Sequence, residues 1–174
     1  DLADTNKQLA LKDGDDGTAK TIAVGGSGGS TIGAQGSVTV NHVNRTSEAY
    51  IGAGSTVDVS DTVSVQAENR NKIFGLAGAL SHGTKGAIGA GVDTENLTTS
   101  TKAHIDAGVT VKNAKAVDVA AHSLEQITSI GAGVALGGNG ALQAAVNTQS
   151  IHTDTEAYIG SDTDTEKNHV VLEN

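Results

Sequence analysis

The sequence contains no proline, cysteine, methionine or tryptophan, and among its 174 residues the only large aromatics are Tyr50, Phe74 and Tyr158. Without cysteine there are no disulfides and no thiolate chemistry; this composition is compatible with export and does not by itself imply it. Scarcity of Phe, Trp, Leu and Met removes the side chains that usually fill a globular core. What remains is Ala, Val and Ile, with 23 glycines. A core of that material is thin, so two sheets must approach closely, and a roomy apolar pocket is not expected. Basic charge is also in short supply: 11 Lys and Arg stand against 20 Asp and Glu, a formal net charge of -9. Nucleic acid is therefore a poor candidate partner, since phosphate binding needs a basic face and stacking aromatics. No stretch reaches the roughly 18 apolar residues of a helical membrane span, so none is expected. No signal peptide is visible, and the chain opens in mid-register at Asp1-Leu2-Ala3, as an excised piece would.

What is present is a repeat. Ala49-Tyr50-Ile51-Gly52 recurs as Ala157-Tyr158-Ile159-Gly160, with Ala103-His104-Ile105-Asp106 midway, each 54 residues from the next. At the same offset Val38, Val92 and Val146 align, as do Ile22, Leu76 and Ile130, and Val43, Leu97 and Ile151. Val57 matches Val111, and Leu9 and Leu11 stand one period before Val63 and Val65. The chain divides into a partial unit over about 1–18, units over 19–72 and 73–126, and an incomplete one over 127–174, all within one domain. Neither end reads as the polar cap that stacked repeats need, which suggests an interior slice.

Within a unit the apolar period is 2, the strand signature. Ile130, Ala132, Val134 and Leu136 alternate with Gly131, Gly133 and Ala135. After Gly137-Gly138-Asn139-Gly140, the residues Leu142, Ala144, Val146 and Thr148 share one face, opposite Gln143, Ala145, Asn147 and Gln149. Asn-Gly between alternating runs predicts a hairpin, because both residues tolerate positive φ. Ser81 to Gly86 and Gly25 to Ser30 occupy the same place in the other units. Two short strands follow in each: Val57-Asp58-Val59 and Val63-Ser64-Val65, then Val109-Thr110-Val111 and Val117-Asp118-Val119, with Val inward and Asp, Ser or Thr outward. Glycine and β-branched residues make helix costly, about 1 kcal/mol per glycine relative to alanine. A strand repeat that cannot bury its own face must stack on its neighbours, pairing equivalent strands in parallel. The expected fold is all-β: a parallel β-solenoid (β-helix) built from the 54-residue repeat, with hairpin excursions. An 18-residue subperiod is weak, since Ile22, Val40 and Leu76 fit it and Asp58 does not, so the number of coils per unit stays open. A β-sandwich would explain the strands but not the period.

No motif carries catalysis, and no catalytic, cofactor-binding or metal-ligating residue is assigned. Gly78 to Lys85 superficially resembles a phosphate loop but ends Gly-Thr-Lys instead of Gly-Lys-Thr, and reads as a turn. Gly25 to Ile32 resembles a solitary calcium nonapeptide with Ser30 in place of Asp, and again reads as a turn. Asp13-Gly14-Asp15-Asp16-Gly17 offers hard oxygens for weak Ca²⁺ binding but lacks the bidentate Glu, so a solvated turn is expected there and at Asp162-Thr163-Asp164-Thr165-Glu166. His42, His82, His104, His122, His152 and His169 form no pair at metal-ligand spacing. Asn44-Arg45-Thr46 and Asn96-Leu97-Thr98 match the glycosylation pattern without aligning across the repeat. Tyr50 and Tyr158 are either exposed contact residues or, on the favoured reading, parts of a stack with His104 between them.

The runs E-A-Y-I-G-A-G-S-T-V-D-V-S-D-T-V-S-V-Q-A, K-A-H-I-D-A-G-V-T-V-K-N-A-K-A-V-D-V-A-A and I-G-A-G-V-A-L-G-G-N-G-A-L resemble repeats of large filamentous adhesins and haemagglutinins, especially leukotoxin-like adhesins of anaerobic Gram-negative bacteria. That resemblance covers nearly the whole chain in texture and period. It implies a β-helical shaft exported by two-partner secretion, found on the cell surface or secreted, without catalytic residues or cofactors. Partners would be neighbouring repeats and a host-cell surface or glycans met by exposed polar faces. The alternatives are a small ice- or glycan-binding solenoid, for which Thr98-Thr99-Ser100-Thr101 and Thr153, Thr155 suggest a ladder, and a solenoid polysaccharide-degrading enzyme, for which three aromatics give too few sugar platforms.

Overall fold

A computed structural model describes residues 2–4, 9–160 and 171–173, with side chains over 17–160. Ten strands follow in chain order: β1 (Leu2–Asp4), β2 (Leu9–Gly29), β3 (Ile32–Ile51), β4 (Thr56–Val59), β5 (Thr62–Gly83), β6 (Gly86–Asp106), β7 (Thr110–Lys112), β8 (Ala116–Gly137), β9 (Ala141–Gly160) and β10 (Val171–Glu173). They form three parallel sheets, ordered β1-β4-β7-β10, β2-β5-β8 and β3-β6-β9. Each complete unit gives one short strand to the first sheet and one long strand to each of the others.

The register is the repeat. Leu9 pairs with Val63 and Val63 with Val117. Val38 pairs with Val92, and Val92 with Val146. All of these steps are 54 residues. The short sheet departs from that offset only at its ends, where Leu2 pairs with Val57 and Thr110 with Val171. The extra residues fall between β1 and β2 and between β9 and β10.

The expected hairpins are not formed. Among the described residues, the runs on either side of each Gly-rich turn belong to different sheets, and every pairing is parallel. The chain folds over as an arch whose two arms meet by their side chains. The turns at the tip bond to their counterparts in the next unit: Lys85 N–H donates to Thr31 O at 2.9 Å and Asn139 N–H to Lys85 O at 3.0 Å. Asn139 and Gly140 are not among the residues with positive φ, so the Asn-Gly signal marks the turn without making a hairpin. Positive φ appears instead at Gly54 and Gly108, one period apart, in the turns that lead into β4 and β7. Val63-Ser64-Val65 is likewise not a separate short strand but the start of the 22-residue β5.

The apolar core occupies the base of the arch, where the short sheet closes against the two long ones. Val57, Val59, Val63, Val65, Ile105 and Val111 are buried there, with Ala49, Ala67 and Ala103 between them. Burial of a valine contributes roughly 1.5–3 kcal/mol. Valine faces inward here, as its alternation predicts. Farther along the arch the interior changes in layers. Asn69 and Asn71 face Thr99 and Thr101, then Ile73 and Leu97 fill one apolar layer, and Asp93 and Glu95 follow. Beyond them the inward positions are glycine, alanine, serine and the amides Gln35 and Gln143, while Ile, Leu and Val point outward.

Candidate functional site

The layer around Asp93 and Glu95 is a hydrogen-bonded polar cluster in the interior. These residues lie two apart on β6, so the strand's period projects both carboxylates into the arch, where both are fully buried. Gly75 stands opposite on β5; a Cβ there would collide with the Glu95 and Asp93 oxygens, so its missing side chain makes the room. Thr39 Oγ1 and Ser129 Oγ donate to the two Asp93 oxygens. Asn41 Nδ2 donates to Glu95 Oε1 at 2.8 Å, and Thr21 Oγ1 donates to Asn41 Oδ1. The donors thus come from the two units that flank the one carrying both acids. Glu95 Oε2 has no hydrogen-bond partner. Burial pushes the Glu95 carboxyl up; the Asn41 hydrogen bond opposes this, and the charge of Asp93 adds to it. The cluster can hold a proton. Among the described residues no group of three or more His, Cys, Asp or Glu is placed to hold a metal.

A second feature lies outside, at the base of β3, β6 and β9. The ring of His104 stacks between Tyr50 and Tyr158, with centroids 5.2 and 4.9 Å apart and planes within 12° of parallel. Parallel register places equivalent side chains one above another, so three flat rings at one position must stack. His104 is 6 % exposed and Tyr50 54 %. His104 Nε2 lies 3.2 Å from Asp106 Oδ1. In the neighbouring rung Lys102 sits between Glu48 and Glu156, its Nζ 2.9 Å from Glu156 Oε2. The bond to Glu156 holds the Lys102 ammonium above the usual lysine range. This ladder is an acid-flanked aromatic strip on an open surface.

The other sequence candidates are dispersed. Gly78 to Gly83 belongs to β5, leaving Thr84 and Lys85 as the turn; Gly25 to Gly29 belongs to β2, leaving Ser30 and Thr31. The backbone of Asp13 to Gly17 is continuous strand in β2, paired with Ala67 to Asn71, where a turn was expected. Asp162 to Glu166 and His169 lie outside the described residues. His42, His82, His122 and His152 stand on separate rungs. Thr99 and Thr101 are buried, so the run Thr98 to Thr101 does not form one outward ladder. Asn44 and Asn96 lie within strands β3 and β6. A shallow depression beside the Arg70–Glu68 ion pair, lined also by His122 and Leu124, brings no catalytic set together.

Sequence reasoning missed the Asp93–Glu95 layer. Its signal was Gly75 opposite two acids, legible only once the arms were known to face each other. The sequence matches no family model, and comparisons with curated proteins and with solved structures find no significant similarity.

Proposed function

We propose that the chain is a β-solenoid segment that acts as the shaft of a large exported bacterial surface adhesin of the filamentous haemagglutinin and leukotoxin-like kind, without catalysis of its own. One observation carries this reading. The long sheets keep a constant 54-residue register across three units while the residues at the arch tip change freely, from Ser30-Thr31 to Thr84-Lys85 to Gly138-Asn139-Gly140. A scaffold that lengthens by adding units needs its register kept and tolerates change at its tips. The net charge of -9 keeps neighbouring shafts apart. The Tyr50–His104–Tyr158 strip and the polar rungs beside it are the surfaces offered to a host cell or a glycan. An ice-binding face is less well supported, since the outward rung Asn44, Thr98, His152 mixes residue types where a flat repeated ladder is needed.

The shaft reading is tested on chains carrying three, six and nine units. Rod length in small-angle scattering is expected to grow by about 4.8 Å per added unit, one strand spacing. Growth as a compact globule would end it. Adhesion is tested separately by binding of the tandem chains to host cells and glycan arrays. Loss of binding in Tyr50→Ala with Tyr158→Ala would place the contact on the strip, and no binding by any chain would leave only a spacer.

A further inference from the structure

The Asp93–Glu95 layer is polar on every rung. On the β2-β5-β8 sheet Thr21, Gly75 and Ser129 stand one above another. On the facing sheet Thr39, Asp93 and Asn147 share one rung, and Asn41, Glu95 and Gln149 the next but one. Apart from the glycine, each of these residues carries a side-chain oxygen. Both acids belong to the central unit, and so does the glycine. Glycine inside a strand weakens it and marks places where another group comes close. Here three carboxylate oxygens, Glu95 Oε1 and both of Asp93, crowd the point that a Gly75 Cβ would occupy.

Neutral donors alone do not balance this pair. Both carboxylates are fully buried, and the groups that donate to them, from Thr39, Ser129 and Asn41, carry no charge. Burying unneutralised charge is costly. A proton on Glu95 removes one charge and leaves the other. Glu95 Oε2, buried inside the layer, has no hydrogen-bond partner at all. A divalent cation removes both charges, gives that oxygen a partner and fits the room that Gly75 makes. The available ligands are carboxylate, hydroxyl and amide oxygens, without the nitrogen or sulfur of a zinc site. Ca²⁺ takes about six to eight such oxygens in a flexible geometry, whereas Mg²⁺ demands a near-ideal octahedron and keeps its waters. A layer of close-set side chains favours Ca²⁺. A third acid is not needed, because hydroxyl and amide oxygens complete such a set.

We propose that the Asp93–Glu95 layer is a Ca²⁺ site, with the two carboxylates as charged ligands, Thr39, Ser129 and Asn41 supplying neutral oxygens, and Gly75 making the space. These residues come from β3, β6 and β8, one from each of three successive units. The ion therefore ties the units to one another and the two arms of the arch together. The inference rests on this layer alone and stands whether or not the chain is an adhesive shaft.

The test uses the 174-residue protein, stripped with a chelator and then melted with and without millimolar calcium chloride. Ca²⁺ is expected to raise the midpoint by about 5 °C or more, and Mg²⁺ by less. Glu95→Gln preserves size and shape, and its fold is checked by circular dichroism. In chelator this variant should be the more stable chain, because a buried acid is gone. In Ca²⁺ the order should reverse, because the variant loses the shift. A purely structural role gives the same order in both buffers. Asp93→Asn should lose the shift as well. Asp15→Asn with Asp16→Asn, which removes acids from the other Ca²⁺ candidate in the sequence, should keep it. Absence of a Ca²⁺ shift in the folded parent overturns the proposal and leaves the layer with a proton only. So does a shift that survives in Glu95→Gln and Asp93→Asn, which would place the ion elsewhere on the chain.

Discussion

Glu95 shows how a single interior residue contributes to the pH response of the fold. Its carboxyl is buried beside Asp93, and one oxygen has no partner. Burial raises its pKa, so the folded chain binds this proton more tightly than the unfolded chain does. The stability it confers is complete below the ordinary carboxylate value. It falls as pH rises from there into the raised value, because the unfolded chain ionises first. Glu95→Gln removes the titration and offers an amide N–H toward Asp93. Denaturant melts should show the variant more stable than the parent at pH 7, by roughly 1 kcal/mol, with the gap closing near pH 4. An unchanged gap across that range would mean that Glu95 does not titrate on folding. Gly108 makes a second point at this scale. Its φ of 80° suits glycine alone, and it is one period from Gly54 at 78°. Gly108→Ala should cost about 1 kcal/mol or more, whereas Gly28→Ala, with open space at its Cβ position, should cost little in the same melts. Neither residue announced itself beforehand. Asp93 and Glu95 resemble outward strand acids until the opposing Gly75 is placed, and among the described residues positive φ falls on Gly54, Gly108, Gly160 and Asn113, which nothing in the sequence separates from the chain's other glycines and asparagines. The stack of Tyr50, His104 and Tyr158 was legible, because a fixed period fixes which side chains stand one above another.

At the scale of the element, the period-2 alternation correctly marked strands and which residues share a face. It did not tell which face is inside. Near the base, valine points inward and Asp58 outward, as hydrophobic burial dictates. Along β8 and β9 the apolar set Ile130, Val134, Leu142 and Val146 points outward, and Gln143 and Asn147 lie opposite Gly133 and Gly131. Alternation is symmetric under exchange of faces, so a sequence cannot separate the two assignments. The Asn-Gly turn was read as a hairpin because hairpins are its commonest use. Here the long parallel ladders already satisfy the backbone of both arms, leaving no call for pairing across the turn. Parallel register makes a direct prediction. Thr46 pairs with Ser100, so cysteines at both positions should oxidise to an intramolecular disulfide, parallel partners lying within the distance such a bond spans. Cysteines replacing Thr46 and Thr101, one residue out of register and on opposite faces, should not. Non-reducing electrophoresis after mild oxidation separates the outcomes, and crosslinking of the second pair alone would mean a shifted register.

For the whole molecule, the 54-residue period was the most informative property of the sequence, because it fixed parallel pairing and register before any coordinate was known. What it left open was how unevenly stability is distributed among the units. Val63, Val65 and Ile105 in the middle of the stack are fully buried. Their equivalents one period later are not: Val117 and Val119 are half-buried, and Ile159 is 51 % exposed. Identical chemistry at equivalent positions therefore contributes unequally, depending on whether a neighbour stands on both sides. In a linear array the stability is a sum of unit terms and nearest-neighbour interfaces. One more copy of the 73–126 unit joined after residue 126 would cover Val117 and Val119 and shift the half-exposed layer one unit along. Each half-buried valine so covered contributes about 1 kcal/mol. The midpoint of chemical unfolding is then expected to rise with each of the first added units and to level off, while the slope of the transition grows with the surface exposed. A midpoint independent of unit number from the start would mean that each unit folds on its own, and the parallel ladders would then have no part in holding the stack together.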